Sequence, residues 1–231
     1  MVMMKATAKK EEPADARKKA VLVVDDHPLF RRGVVQMLQD EPDLEVGGEA
    51  SNNNEALGEI RRRAFDLAVV DIGLEGSTNG IELTKNIRAE RPELPVLVLS
   101  MHDETLFAER ALRAGARGYV MKREALDNFI AAVRTVLRGE IFISPAMSKR
   151  IVFAHLHGGT ESSSPVERLS DRELEIFQLI GNGREVRDIA ERLHLSPKTV
   201  EAHRARIKEK LNLGNAREVA RFAQNWAAQQ D

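Results

Sequence analysis

Acidic residues follow two short apolar runs at the points where the runs end. Val21 to Val24 precedes Asp25 and Asp26, and Leu67 to Val70 precedes Asp71. Because neighbouring parallel strands end at the same edge of a sheet, these three carboxylates are expected to converge there. Carboxylate oxygens bind hard divalent cations, and an aspartate beside such a cation can act as a nucleophile toward a phosphoryl group.

Two more polar side chains stand at corresponding positions. Ser100 ends the apolar run that begins at Val96, and Lys122 follows the run from Gly118 to Met121. A hydroxyl and an ammonium group can balance the charge that develops on phosphoryl oxygens. A single Asp after a strand is more often a helix cap or a turn residue. Five matched residues at strand ends favour phosphoryl chemistry instead.

The predicted cation is Mg²⁺, which takes octahedral oxygen ligands and keeps several of its waters. We expect Asp26 and Asp71 to be direct ligands and Asp25 to act through water. The backbone carbonyl of Gly73 would complete the protein ligands.

The elements that must position these residues follow from the hydrophobic pattern. From Ala20 to about Arg138, short apolar runs alternate with helical periodicity, which is typical of βαβ units and a parallel sheet. The predicted strands are Val21–Asp25, Leu44–Ala50, Leu67–Asp71, Val96–Ser100 and Gly118–Met121.

The alternation stops after Gly139. One further helix can begin near Pro145, and residues 158–165 have the Gly/Ser-rich composition of a linker. This pattern divides the chain into a disordered tail (1–19), an α/β domain (20–139), a linker with a possible helix (140–166) and an all-helical domain (167–231).

Helix caps can be recognised in the last segment. Ser170 and Glu173 fit a capping box, and Ser196-Pro197 supplies an N-cap with proline at the first helical position. A short helix precedes Ser196 across a tight turn at His194-Leu195. This arrangement predicts a helix-turn-helix.

Asp25-Asp26, Asp71, Ser100 and Lys122 together resemble the receiver domain of bacterial two-component response regulators. Asp25 to Pro28 and Ser100 to His102 are similar to the NarL/FixJ branch. The resemblance implies a flavodoxin-like, five-stranded doubly wound sheet, Mg²⁺, and phosphorylation of Asp71 by a cognate histidine kinase. It also implies that Tyr119 is the aromatic residue that changes rotamer with Ser100 on activation.

The loop after Asp71 departs from that pattern, because it lacks the usual proline and is about one residue longer up to Gly80. An alternative is therefore a degenerate receiver that is no longer phosphorylated, with DNA binding controlled by a partner or ligand. A Mg²⁺-dependent phosphohydrolase is a third hypothesis. Gly73 argues against it, because such enzymes carry an acid two residues after the nucleophile.

The C-terminal segment resembles the LuxR-type helix-turn-helix. The resemblance rests on Leu169 to Glu173, Asp188 to Ala190 and Ser196 to His203. One face of the last of these helices carries small and polar side chains, which suits entry into the major groove of DNA. The residues predicted to contact DNA are Lys198, Thr199, Glu201, Ala202, Ala205, Arg206 and Lys208.

Roles for these side chains follow from their donors and acceptors. Glu201 can accept from a cytosine amino group, and Ala202 can touch a thymine methyl group, whereas Lys208 suits phosphate. The last helix, with Val219, Phe222 and Trp226, either packs on the bundle or forms a dimer face. The resemblance favours a homodimer on double-stranded DNA.

Composition limits the remaining classes. The 231 residues include no cysteine and carry a formal net charge of −1, so disulfides are excluded and the overall charge gives no reason to expect nucleic acid. The N-terminal segment lacks the apolar core of a signal peptide, and no apolar stretch approaches the length of a membrane span. We expect a cytoplasmic transcription regulator that is not an enzyme.

Overall fold

The computed structural model describes residues 17–74, 79–101, 104–156 and 165–228. A five-stranded sheet, parallel at every pairing, fills the first half of these residues, with strand order β2-β1-β3-β4-β5. This is the flavodoxin-like order, so the predicted doubly wound fold is confirmed. The strands are β1 (Lys19–Val24), β2 (Leu44–Ala50), β3 (Leu67–Asp71), β4 (Val96–Ser100) and β5 (Gly118–Met121).

Four strands have the predicted bounds, and the first begins two residues earlier and ends one residue earlier than predicted. Alternate side chains of β1 enter separate cores. Val21 and Val23 pack with helices α1 and α5, while Leu22 and Val24 pack with α2, α3 and α4. Both faces of the sheet are therefore covered, as expected for apolar strands without a polar face. The helices are α1 (Pro28–Gln39), α2 (Asn53–Arg62), α3 (Gly80–Glu90), α4 (Glu104–Ala114) and α5 (Ala125–Leu137).

A sixth helix, α6 (Pro145–Leu156), confirms the helix predicted near Pro145. The Glu104 carboxylate at the start of α4 accepts a hydrogen bond of 2.9 Å from the backbone N–H of Ser144, just before α6. The α6 helix is thereby attached to α4. The linker predicted at residues 158–165 lies almost entirely outside the described residues, as does most of the tail predicted at residues 1–19.

Four helices form the C-terminal part: α7 (Asp171–Gly181), α8 (Val186–Arg192), α9 (Pro197–Lys210) and α10 (Ala216–Ala227). The predicted capping box is present, with both Ser170 and Glu173 contributing. His194 has a φ of 50° in the tight turn between α8 and α9. The ring of Phe177 on α7 packs against Phe222 and Trp226 of α10. The last helix therefore packs on the bundle, the first of the two options left open by its sequence.

Helices α3 and α4 also contact the beginning of the helical part. Arg110 of α4 donates hydrogen bonds to the carbonyl oxygen of Leu169 at 2.8 Å and to the Asp171 carboxylate at 3.0 Å. Lys85 of α3 lies 3.5 Å from the same carboxylate. Among the residues that the structure describes, no helix is long and apolar enough to cross a membrane.

Candidate functional site

The carboxyl edge of the sheet gathers the predicted acidic residues around one lysine. Asp71 is the last residue of β3, Asp25 follows β1, and both side chains are almost completely buried. The Lys122 ammonium group lies 2.7 Å from Asp25 Oδ2 and 2.6 Å from Asp71 Oδ2. The ring of Phe30 from α1 covers this ammonium group, with its centroid 4.4 Å away. The two strand ends and α1 thus enclose a buried cluster of charges.

Burial and neighbouring charges act in opposite directions on these groups. Burial raises the pKa of Asp71, the Lys122 ammonium lowers it, and repulsion from Asp25 raises it again, so the net direction is upward. For Lys122, burial lowers the pKa but the two carboxylates outweigh that effect and raise it. The lysine therefore remains charged. A second positive charge at the pocket would favour the ionised form of Asp71.

Asp26 lies beside this pair, with its Oδ1 atom 2.7 Å from Nδ1 of His27. Its side chain is 6% exposed, and its Oδ1 atom is buried without a hydrogen-bond partner. Burial raises the pKa of Asp26, while His27 opposes the rise and Asp25 adds to it. Asp25, Asp26, His27 and Asp71 each bring one donor atom within 4.8 Å of the others. An acidic cluster with an unpartnered buried oxygen fits a divalent cation.

The loop after the third strand returns very closely to Asp71. A Cβ atom on Gly80 would lie 1.9 Å from the carbonyl oxygen of Asp71, so a larger residue there would displace the backbone. The backbone N–H of Gly73 donates to Asp71 Oδ1 at 3.2 Å. Four residues of this unusual loop, 75–78, lie outside the described residues. The structure therefore places both ends of the loop against Asp71.

Ser100 lies at the carboxyl edge of the sheet, and Tyr119 lies within β5, opposite Val98 of β4. Ser100 is fully buried at the end of β4, where it pairs with Met121 of β5. Tyr119 is buried in β5, and its backbone N–H donates to the carbonyl oxygen of Phe142 at 2.9 Å. The structure thus brings Ser100 to the carboxyl edge near Lys122, as the strand pattern predicted.

The second candidate site is the outer face of α9. Val200 and Ile207 are buried against the bundle, which directs the opposite face to solvent. Six of the seven residues predicted to contact DNA are exposed: Lys198, Glu201, Ala202, Ala205, Arg206 and Lys208. Two small and four polar or charged side chains form a surface that can approach base edges closely.

Thr199 differs from the other six because it belongs to the cap of α9. Its backbone N–H donates to Ser196 Oγ at 3.0 Å, and the two hydroxyl oxygens lie 2.8 Å apart. Glu201 is also not isolated, because Arg204 lies 2.8 Å from its Oε1 atom. Arg204 therefore orients the carboxylate that was predicted to read a base.

Lys210, the last residue of α9, forms an ion pair with α7. Its ammonium group lies 2.6 Å from Oε2 of Glu173, whose side chain is 3% exposed. The pKa of Glu173 is lowered overall, because the Lys210 and Ser170 hydrogen bonds outweigh the opposing effect of burial. His203 is half-buried, and burial and Arg206 lower its pKa. The Lys210–Glu173 pair joins the end of α9 to α7.

Comparison with known proteins identifies both parts of the chain. Residues 21–134 match the response regulator receiver domain family, and residues 167–223 match the luxR family of bacterial regulatory proteins. The chain is 35% identical to oxygen regulatory protein NreC of Staphylococcus carnosus over 207 residues, covering 88% of this chain and 95% of NreC. The present chain belongs to the NarL/FixJ class of response regulators.

Two further similarities agree with this class. Response regulator GacA of Pseudomonas aeruginosa is 36% identical over 203 residues, covering 88% of this chain and 94% of GacA. The crystal structure of a LuxR-family two-component response regulator from Aurantimonas sp. has a TM-score of 0.56 and 31% identity, and covers 61% of this chain and 99% of its own. This response regulator therefore has a receiver domain and a LuxR-type DNA-binding domain of a two-component system that regulates transcription.

Several contacts of this response regulator have no signal in its sequence. Arg110 and Asp171 are 61 residues apart, and Lys210 and Glu173 are 37 residues apart. No helical or strand periodicity relates such positions. Phe30 packs on the core beneath α1, and its ring also covers the Lys122 ammonium group. The ring of His27 is largely exposed, but its Nδ1 atom also lies close to Asp26.

Proposed function

We propose that this response regulator binds double-stranded DNA under the control of phosphorylation at Asp71 by a cognate histidine kinase. The observation that carries the proposal is the buried Asp71 carboxylate with the Lys122 ammonium group 2.6 Å away. A nucleophile needs an accessible lone pair and a nearby positive charge for the oxygens of the incoming group. Asp71 supplies the carboxylate lone pairs, and Lys122 supplies the positive charge.

In the proposed reaction, one Asp71 oxygen attacks phosphorus as the bond to a kinase histidine nitrogen breaks. The electron pair of that bond stays on the imidazole nitrogen, which then takes up a proton. Lys122 offsets charge on one phosphoryl oxygen, and the Ser100 hydroxyl donates to another. Tyr119 then changes rotamer as Ser100 moves. The product is an acyl phosphate on Asp71.

Mg²⁺ is the proposed cation because three of the four donor groups are carboxylates, and Asp26 Oδ1 is buried without a hydrogen bond. Asp26, Asp71 and the Gly73 carbonyl would hold it directly, and Asp25 through water. When bound, the ion neutralises charge on the phosphoryl oxygens. The chain's own contribution is to fix these donors at the ends of rigid strands.

The proposed DNA contacts use the exposed face of α9. Glu201, with Arg204 beside it, would accept from a base, and Ala202 and Ala205 would allow close approach. Lys198, Arg206 and Lys208 would bind guanine edges or phosphates. Thr199 would contribute mainly through the cap that it forms with Ser196.

The proposed coupling runs through α4, which follows Ser100 and carries Arg110. The α9 face stays exposed while Arg110 contacts Leu169 and Asp171, so this contact does not act by covering the DNA-binding surface. It instead restrains the helical domain against its own receiver. Two restrained copies would be unable to bind two DNA half-sites with their α9 helices at the same time. Movement of α4 on phosphorylation would remove the restraint. The active form would be a homodimer on DNA.

The proposal keeps the domain division at residues 20–139 and 167–231, with the connection at 140–166. The two family matches, to residues 21–134 and 167–223, lie inside those bounds and support it. A DNA target also places the protein in the cytoplasm. A regulator of this kind performs no metabolic reaction.

Intact-mass measurement with acetyl phosphate and Mg²⁺ tests the proposal. We expect one added phosphoryl group that requires Mg²⁺ and is absent from Asp71→Asn, because no other aspartate of the pocket ends a strand beside Lys122. Asp66→Asn, at the opposite end of β3, is the matched control and should be modified normally. An adduct that persists in Asp71→Asn would move the site, and no adduct in any variant would favour the degenerate-receiver alternative.

A further inference from the structure

The acid pocket contains one donor that a magnesium site does not need. His27 follows Asp26 directly, and its Nδ1 atom lies 2.7 Å from Asp26 Oδ1 and 3.6 Å from Asp25 Oδ1. Together with one oxygen of Asp71, these donors all fall within 4.8 Å of one another. Three carboxylates and one imidazole nitrogen therefore converge on a space the size of a coordination shell.

The position of the imidazole is set by the backbone. The backbone N–H of His27 donates to Asp25 Oδ1 at 2.8 Å. The next residue, Pro28, has a fixed φ angle and begins the first turn of α1. Although the His27 ring approaches Asp26 closely, Asp26 Oδ1 is buried without a hydrogen-bond partner. The oxygen and the nitrogen are thus close enough together to bind one ion.

Ligand type determines which ions suit such a set. Mg²⁺ takes oxygen ligands and releases its waters reluctantly, whereas imidazole suits first-row transition metals. Affinity for a mixed nitrogen and oxygen site rises from Mn²⁺ toward Cu²⁺. An imidazole ligand would therefore raise the affinity for transition-metal ions without raising that for Mg²⁺.

We propose that His27 is a nitrogen ligand at the acid pocket, so that the pocket binds transition-metal ions more tightly than Mg²⁺. The inference rests on the proposed cation site of Asp26 and Asp71, and it adds a ligand from this chain's own sequence. Transition-metal ions would then compete with Mg²⁺ for the pocket that holds the phosphoacceptor.

Electron spin echo measurements on the full chain loaded with Mn²⁺ test this directly. The wild type should show modulation from a directly bound ¹⁴N nucleus. His27→Ala should lose the modulation. It should also bind Mn²⁺ at least about tenfold more weakly, a loss comparable to those caused by mutating residues around other metal sites. Its Mg²⁺ affinity by calorimetry should change less than twofold.

Two controls separate this proposal from the cation site on which it rests. His194→Asn, in the turn before α9, should keep the modulation, because Asn tolerates the positive φ at that position. Asp26→Asn should weaken the binding of both Mn²⁺ and Mg²⁺. Mn²⁺ binding without nitrogen modulation, or with equal affinity in His27→Ala, would overturn the histidine ligand and leave the cation site in place. Failure of both ions to bind the wild type would overturn both proposals.

Discussion

The Lys122 ammonium group lies between two buried carboxylates and determines the charge of the phosphoryl pocket. Buried ion pairs of this kind contribute little net stability, because desolvation offsets their attraction. Phe30 covers the ammonium group and further restricts its contact with water. The pocket contributes little stability and holds a carboxylate with a raised pKa, so its charged residues are more readily explained by function than by stability.

Glu201 and Lys208 occupy the same helix but are predicted to have different roles. Glu201→Ala should relax base preference at one position by about 1–3 kcal/mol, because it removes an acceptor for a base edge. Lys208→Ala should weaken binding to all sequences alike and reduce the slope of log K against log[salt] by about one. Fluorescence anisotropy at several salt concentrations, on specific and random DNA, measures both effects.

Arg204→Ala provides a check on the first of these assignments. It leaves Glu201 in place but removes the guanidinium group 2.8 Å from its carboxylate, so base preference should weaken less than in Glu201→Ala. If Glu201→Ala lost affinity equally on random and specific DNA, the carboxylate would not be a base reader.

The ion pair between Lys210 and Glu173 holds the C-terminal end of α9 on α7. Glu173 has a lowered pKa, so its contribution to folding is present above its unfolded pKa and is lost as the pH falls through the folded value. We expect Lys210→Met to destabilise the helical domain by about 1–2 kcal/mol at pH 7. The deficit should shrink as the pH falls through the lowered pKa of Glu173, because the carboxyl group is then protonated in both proteins.

Urea unfolding followed by tryptophan fluorescence measures this deficit. Trp226 is the only tryptophan of the chain and packs against Phe177 of α7, so its emission reports on the helical domain. Lys208→Met, on the exposed face of α9, should leave stability unchanged. A deficit that stays constant from pH 7 to pH 3 would contradict the role of Glu173.

Helix α4 carries the proposed restraint between the two domains. Arg110→Ala should raise the affinity of the unphosphorylated chain for DNA with two half-sites by about fivefold or more, a usual size for coupling between sites. Binding to a single half-site should hardly change, because the α9 face is already exposed. Arg113→Ala, whose partner Glu109 lies on the same helix, is the matched control. Equal gains in Arg110→Ala and Arg113→Ala would exclude the restraint.

The same elements explain what the sequence predicted and what it did not. Apolar runs such as Leu67 to Val70 define their own ends, so the strand positions of Asp71, Ser100 and Lys122 followed from the pattern alone. The caps at Ser170 and Ser196 are local in the same way. Contacts such as Arg110 to Asp171 depend on how distant elements pack, and long polar side chains give no periodic signal at either end.

At the scale of the whole molecule, the proposed phosphorylation site and the proposed DNA-binding surface are connected through α3 and α4, which both contact Asp171 of α7. A homodimer would make the second α9 contact effectively intramolecular, which raises avidity without any new contact. The expected target is therefore an inverted pair of half-sites whose spacing is set by the dimer. Affinity for such a target should depend on how readily two copies can pair.

The most direct test of this account is the affinity of the full chain for a two-half-site DNA, measured before and after treatment with acetyl phosphate and Mg²⁺. We predict weak binding before treatment and at least about tenfold tighter binding afterwards, because avidity increases of this size or more follow from pairing. Asp71→Asn should remain weak under both conditions. Equal affinity before and after treatment in a chain fully phosphorylated at Asp71 would contradict control of DNA binding by phosphorylation.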